Sequence, residues 1–260
     1  GVHSAGGPLA GLVGPLLATA VATRYGWRPA LLVGAAIAVP VLVAYTAVVR
    51  PAHIDDHDEK RRTNREVDVS SLKRVVARPP VAFTCGIAVT GYFSWQAVLS
   101  FFPAFLIAHH DLAAGTASLA FAGLFVLSAV GLPILGRLSD RFRRDIVLGV
   151  AFAVSASAMA LLLVGSGPLT VGLGVVFLGG GMGWAGVLNS RFMDLFPAEE
   201  RGTAFGLVRT LFLLLGSLGS VVTGMIVDVA GWTVAYGGVV AVLLVGLGAI
   251  LTNRVLCLDL

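Results

Sequence analysis

Eight runs of mostly apolar residues, at roughly 2–23, 29–49, 81–107, 115–135, 146–165, 168–190, 203–227 and 233–252, leave this chain few ways to fold. Each is about as long as the 20 residues that carry a helix across a hydrocarbon core. Several hold glycine and proline in their interiors, which membrane helices tolerate because neighbouring helices re-satisfy the backbone. Only 12% of the 260 residues are charged and 57% are apolar, about half the charge of a soluble domain. The class these numbers define is an all-α polytopic membrane protein whose main partner is the lipid bilayer.

The charges lie in the joints between the runs. Of the 18 lysines and arginines, eight fall in 50–78 and four in 136–145, with Arg191, Arg201, Arg209 and Arg254 further on. All of these belong to alternate joints on one side, and only Arg24 and Arg28 belong to the other. The positive-inside rule makes the basic side cytoplasmic, which puts both ends of this chain in the cytoplasm and the protein in the cell membrane. A net charge of +4 does not point to nucleic acid, because no basic surface interleaved with aromatics accompanies it. Cys85 and Cys257 encode no disulfide framework, and no metal-ligand spacing such as His-Glu-x-x-His and no nucleophile–base pair is present. The reading is a non-enzyme with no cofactor and no metal. His53, His57, Asp55, Asp56 and Asp58 cluster in the polar stretch 51–78. That stretch reads as a solvated linker with some helix near 65–77, because no apolar scaffold would fix those ligands.

The joint Gly136 to Asp145, GRLSDRFRRD, is the most specific stretch. As a charged knot between two apolar runs it reads as a tight loop at the membrane surface. Gly136, Leu138, Asp140, Arg141 and Arg144 resemble motif A of the major facilitator superfamily, with Arg143 where that motif has its second glycine. The resemblance implies a transporter whose Asp140 lies within reach of Arg191 at the cytoplasmic end of span six and near the amino end of span one, and so latches one rocking state. A second signal is internal. Gly26-Trp27 closes span one and Gly231-Trp232 closes span seven, an offset of 205 residues that also lays Gly14 on Gly219. A period of six spans divides the chain into 1–49, the last two helices of one half; 50–78, a central linker; and 79–260, a complete second half. Parallel six-helix halves are the plan of the major facilitator fold. About eight of its twelve helices are then present, and four more are expected before Gly1.

Further resemblances fill in the family reading. Gly14-Pro15 in span one resembles motif C of the fifth helix, with Ala18-Thr19 in place of that motif's glycine pair. Gly7, Gly11 and Gly14 also make a smooth face for close helix packing. Residues 196–206, FPAEERGTAFG, resemble the cytoplasmic approach to the eleventh helix. The fold implies that spans three and six line the cavity. Tyr92, Trp95 and Gln96 at mid-depth in span three, and Trp184 and Asn189 in span six, are therefore the substrate candidates. Polar groups at that depth are costly unless they meet a cavity or a partner helix. Gly179, Gly180, Gly181 and Gly183 suit a bending or tightly packed segment. No aspartate or glutamate lies near the centre of a span. Arg209 is the one charge inside a span, where it snorkels, pairs with Asp194 or Asp140, or meets an anionic substrate.

The function implied is a secondary active transporter moving a small solute by alternating access, with a coupling proton or ion as a further possible partner. The run Tyr25 to Leu32, YGWRPALL, is similar to monocarboxylate and oxalate/formate carriers and leans the reading to organic anions. Multidrug or sugar efflux by the same fold, and a non-transporting membrane sensor, stand as alternatives.

Overall fold

A computed structural model describes residues 6–48, 69–198 and 200–256. The described residues are almost entirely helical. The elements are α1 (Gly6–Tyr25), α2 (Trp27–Val48), α3 (Val69–Val76), α4 (Pro79–His110), α5 (Ala114–Arg141), α6 (Arg144–Val164), α7 (Pro168–Gly181), α8 (Trp184–Leu195) and α9 (Arg201–Val255). Among the described residues six stretches are long and apolar enough to cross a membrane, counting α7 with α8 as one and the 55 residues of α9 as one. At 1.5 Å per residue α9 would measure about 80 Å if straight, enough for two crossings.

Its path is broken at Gly231, whose φ of 80° and ψ of 176° are not helical. Gly26, between α1 and α2, has φ 87°. Both positions need a residue without a Cβ to turn one span directly into the next, and a tryptophan follows each. The Gly-Trp echo in the sequence is thus a repeated backbone device. Spans seven and eight are two helices, 201–230 and 232–255, that pass directly one into the other at Gly231.

Proline and glycine set the other boundaries. Pro79 and Pro80 open α4, where the missing N–H groups cost nothing. Asp111 ends it in the left-handed region (φ 54°, ψ 31°), with its N–H bonded to the Leu106 carbonyl. Span six, read from sequence as continuous, is interrupted at Met182-Gly183 between α7 and α8. The knot at 136–145 is also not a loop. Helix α5 continues through Arg141, and only Phe142 and Arg143 separate it from α6.

Helices α4 to α9 bury one core around Phe102, Phe105, Phe152, Trp184, Phe192, Phe212 and Tyr236. Small residues let the backbones close up, as expected where lipid supplies no hydrophobic drive between helices. A Cβ at Gly216 would lie 2.6 Å from the Tyr92 Cβ, and one at Gly219 would collide with the Phe93 carbonyl oxygen, so α9 sits directly on α4. Likewise a Cβ on Gly131 of α5 would lie 2.7 Å from the Gly180 carbonyl oxygen, and one on Gly183 would lie 2.7 Å from the Gly131 carbonyl carbon. The break in span six therefore coincides with its closest approach to α5. Helix α1 docks on α5 through a Thr19–Ser118 hydroxyl hydrogen bond of 2.7 Å. A Cβ on Gly14 would meet nothing within 4 Å, so no close helix approach requires a glycine at that position. Pro15 lies within α1. Helix α3, at 69–76, is the helical part of the linker; His53 and its neighbours lie outside the described residues.

Candidate functional site: a charged clamp and an aromatic wall

At the arginine-rich end, two ion pairs join the start of α6 to the end of α8. Arg191 pairs with Asp145, and Arg144 Nη1 lies 2.6 Å from Asp194 Oδ2 as a contact of charge rather than an aligned hydrogen bond. Asp145 stands in the first turn of α6, where the helix dipole favours a carboxylate. Arg191 Nε also donates to Thr84 Oγ1 at 2.9 Å, and the Thr84 hydroxyl donates to the Pro80 carbonyl at 2.7 Å. The Arg191 guanidinium lies 5.7 Å from the Phe83 ring centroid. One buried arginine thus ties α8 to both α6 and α4. A third pair, Arg78–Glu200 at 3.2 Å, is exposed and links the start of α4 to the start of α9.

This arrangement corrects the expectation for Asp140. The carboxylate that Arg191 holds is Asp145, five residues further on and at the other side of the joint. Asp140 is exposed and makes no ion pair among the described residues. It lines a cleft of ≈ 410 Å³ with Ile134, Arg137, Leu138 and Arg141, at the end of α5. Gly136 has open space where a Cβ would stand. Leu138 packs partly against the core. Arg144 is therefore part of the clamp, while Gly136, Asp140 and Arg141 face outward from the α5 end.

Towards the middle of the bundle the chemistry changes. Tyr92 stacks on Phe212 (centroids 4.9 Å apart) and meets Trp184 edge-on at 5.1 Å, while Phe152 meets the other side of Trp184 at 5.8 Å. Trp95 contacts Phe125 at 5.9 Å, and Phe125 contacts Phe121 at 5.2 Å. Tyr92, Trp95, Gln96 and Asn189 are all half-buried. None of their polar side-chain groups has a hydrogen bond among the described residues, so no neighbouring helix in this unit satisfies them. Trp184 is different. It is 2% exposed and sits behind Tyr92, and a Cβ on Gly91 would come within 2.7 Å of its ring. Trp184 therefore backs the Tyr92 ring from inside the unit.

Arg209 is exposed on α9, and its guanidinium lies 5.9 Å from the Phe205 ring centroid. Pairing with Asp194 or Asp140 does not occur: Asp194 faces Arg144, and Arg209 makes no ion pair among the described residues. Asp145, Thr84 and Phe212 are the residues that sequence reasoning passed over. A signal for the first existed, since Arg144-Asp145 opens one span and Arg191…Asp194 closes the next, offering crossed pairs of opposite sign.

The family model described as "Major Facilitator Superfamily" matches residues 1–110 and again 84–255. The chain belongs to the major facilitator superfamily. Among curated relatives it is 27% identical over 179 residues to multidrug resistance protein MdtG of Rahnella sp. (strain Y9602), covering 66% of this chain and 42% of that protein. It is 29% identical over 113 residues to multidrug resistance protein 3 of Bacillus subtilis (strain 168), covering 43% of this chain and 22% of that one. The chain thus spans under half the length of either. Among solved structures, a bacterial homologue of the human lysosomal transporter Spinster, inward-facing and occupied, matches with a TM-score of 0.70 at 16% identity, over 98% of this chain and 69% of that one. A peptide transporter of the POT family matches with a TM-score of 0.56 at 17% identity, over 70% and 38%. At such identities these likenesses show the fold alone.

Proposed function

We propose that this chain is part of a secondary active transporter that moves small amphipathic organic solutes across the cell membrane by alternating access. The observation that carries the reading is the wall on α4, where Tyr92, Trp95 and Gln96 offer aromatic faces and unpartnered polar groups side by side at mid-depth. Sites for small organic ligands combine mainly apolar and aromatic linings with a few polar groups that set orientation. Both multidrug resistance relatives support the same class of solute. The run YGWRPALL, which leaned the sequence reading to organic anions, occupies exposed positions around the α1–α2 joint and touches no part of the wall.

In this reading residues 79–260 form one rocking half, 1–49 belong to the other, and 50–78 link them on the cytoplasmic side. The arginine-rich end is cytoplasmic. The clamp keeps α4, α6 and α8 together as the half moves. Asp140, free on its own half, serves as the latch to the other, with Gly136, Leu138 and Arg141 shaping its surroundings. The solute and any coupling ion pass between the halves, and no chemical step is catalysed.

The test is flux through the full-length carrier in proteoliposomes, with ethidium and naphthamide as probes. Saturable transport of at least one probe is expected, with Gln96→Leu and Trp95→Ala each shifting half-saturation several-fold. Absence of saturable flux for both probes would overturn the solute class.

A further inference from the structure

We propose that His110, at the end of the bundle opposite the arginine-rich clamp, is a proton-sensitive latch. Neutral, it belongs to a ring cluster that joins the end of α4 to α6 and α9; protonated, it leaves the cluster and frees that end. The proposal concerns regulation and stands apart from the solute reading above.

His109 and His110 lie beyond the apolar run 81–107, in the last turn of α4. The fully buried Phe105 is the centre of the cluster. Its ring centroid lies 5.0 Å from that of His109, 5.5 Å from His110, 4.6 Å from Tyr236 and 6.2 Å from Trp232. The two imidazoles meet edge to face, 5.1 Å apart. Two hydrogen bonds fix the surroundings: His109 Nε2 donates to the Leu163 carbonyl of α6 at 3.2 Å, and the Tyr236 hydroxyl of α9 donates to the Ala97 carbonyl of α4 at 3.4 Å. Three helices that the clamp and the glycine contacts join elsewhere are thus joined again here by rings.

The two histidines differ in what a second ring proton would meet. A neutral imidazole carries a hydrogen on one nitrogen, whereas an imidazolium carries one on each and needs two acceptors. His109 already has its Nε2 on a carbonyl in the last turn of α6, the end of a helix that favours positive charge. His110 Nε2 is buried and has no hydrogen-bond partner among the described residues. As a bare nitrogen it is tolerated there, but as a charged N–H it must find an acceptor, and the ring has to leave Phe105 to reach water. A charged His109 beside it adds repulsion. No ion pair joins either histidine to a carboxylate among the described residues. The other titratable groups on the helices at this end are few. Asp111 ends α4 and Asp228 precedes the Gly231 turn, both exposed, and the Tyr236 hydroxyl is buried. Helices α5 and α6 carry their charges at the clamp end, and α7 carries none. The folded state therefore holds His110 neutral while the unfolded chain takes up its proton near pH 6.5, so stability is present above that pH and lost as pH falls through it.

The test needs no transported solute. Thermal unfolding of the full-length carrier in detergent is compared at about pH 7.5 and about pH 5.5, on either side of the free imidazole range. The unfolding temperature is expected to fall by several degrees on acidification in the wild type. His110→Phe, and His110→Asn should the first fail to fold, are expected to remove most of that fall, while His109→Gln leaves it in place. In a cysteine-free background, spin labels at Ala108→Cys and Val164→Cys, two exposed positions at the ends of α4 and α6, read whether those ends part. Their separation is expected to grow by several ångström at the lower pH, and not when His110→Phe is added. A wild type with no acid-dependent fall overturns the proposal, as does a fall of the same size in both His110 variants. A fall removed by His109→Gln alone moves the sensor to His109 and overturns it equally. Acid destabilisation without any change in label separation makes His110 a titrating stability group with no latch, which also overturns it.

Discussion

The arginine-rich end of the bundle and its aromatic middle are held by opposite means. At the end, α4, α6 and α8 are joined by charge, through Arg191 with Asp145 and Thr84 and through Arg144 with Asp194. In the middle, α4 and α9 are joined by shape, with Gly216 and Gly219 letting the backbone of one helix lie on Tyr92 and Phe93 of the other. Bonds of charge are available where a helix end meets water and the partner ions keep some solvation. At mid-depth, ionised pairs are too costly, and close packing is what remains. A wall built by shape leaves its polar groups unpaired among the described residues, whereas a clamp built by charge uses its polar groups up. In the proposed function this difference separates what holds the unit together from what it recognises.

Adding volume to the middle is the most severe way to break the comparison. Gly219→Val places side-chain atoms on the Phe93 carbonyl and should abolish the assembled protein. Size-exclusion chromatography after detergent extraction reads this as loss of the monodisperse peak, while Gly237→Ala, where a Cβ meets nothing within 4 Å, should behave as wild type. Removing charge comes next. Arg191 and Asp145 have side chains only 11% and 17% exposed, so Arg191→Gln, which strands a buried carboxylate, should cost about 3 kcal/mol in a reversible unfolding measurement. The neighbouring pair is 28% and 60% exposed, and Arg144→Gln should cost about 1 kcal/mol or less, diminishing further in high salt. Gly231→Ala tests the turn that joins the two crossings of α9. At φ 80° and ψ 176° it should lose about 1–3 kcal/mol. The smallest effect on stability belongs to the wall: Gln96→Leu removes an amide with no partner among the described residues and should leave the unfolding midpoint unchanged within about 0.5 kcal/mol.

Much of the fold was legible because lipid makes the rules strict. Long apolar runs gave the spans, and the two Gly-Trp pairs marked turns that share a positive φ. Four glycines in span six marked a break as well as close contacts. The clamp was legible only in part. Motif resemblance pointed to Asp140, but partner choice at a helix joint depends on where α5 ends. That helix runs six residues past the expected end of its apolar run at 135 and carries Asp140 outward, leaving the first turn of α6 to present Asp145. Trp184 was chosen for its depth along span six; sequence gives that depth but not the packing, in which Tyr92 and Phe152 cover its ring and leave it 2% exposed.

The central claim is that solute recognition belongs to the wall and cohesion to the clamp. Its most direct test is naphthamide flux and thermal unfolding measured on the same purified preparations of the full-length carrier. The double variant Tyr92→Phe/Gln96→Leu keeps the packing of the wall and removes its polar groups, and Asp145→Asn weakens the clamp. The account predicts at least a fivefold shift in half-saturation with an unchanged unfolding temperature for the first. For the second it predicts a lowered unfolding temperature with half-saturation unchanged in the folded fraction. Unaltered half-saturation in the wall variant, or an altered one in Asp145→Asn at an unchanged unfolding temperature, would contradict it.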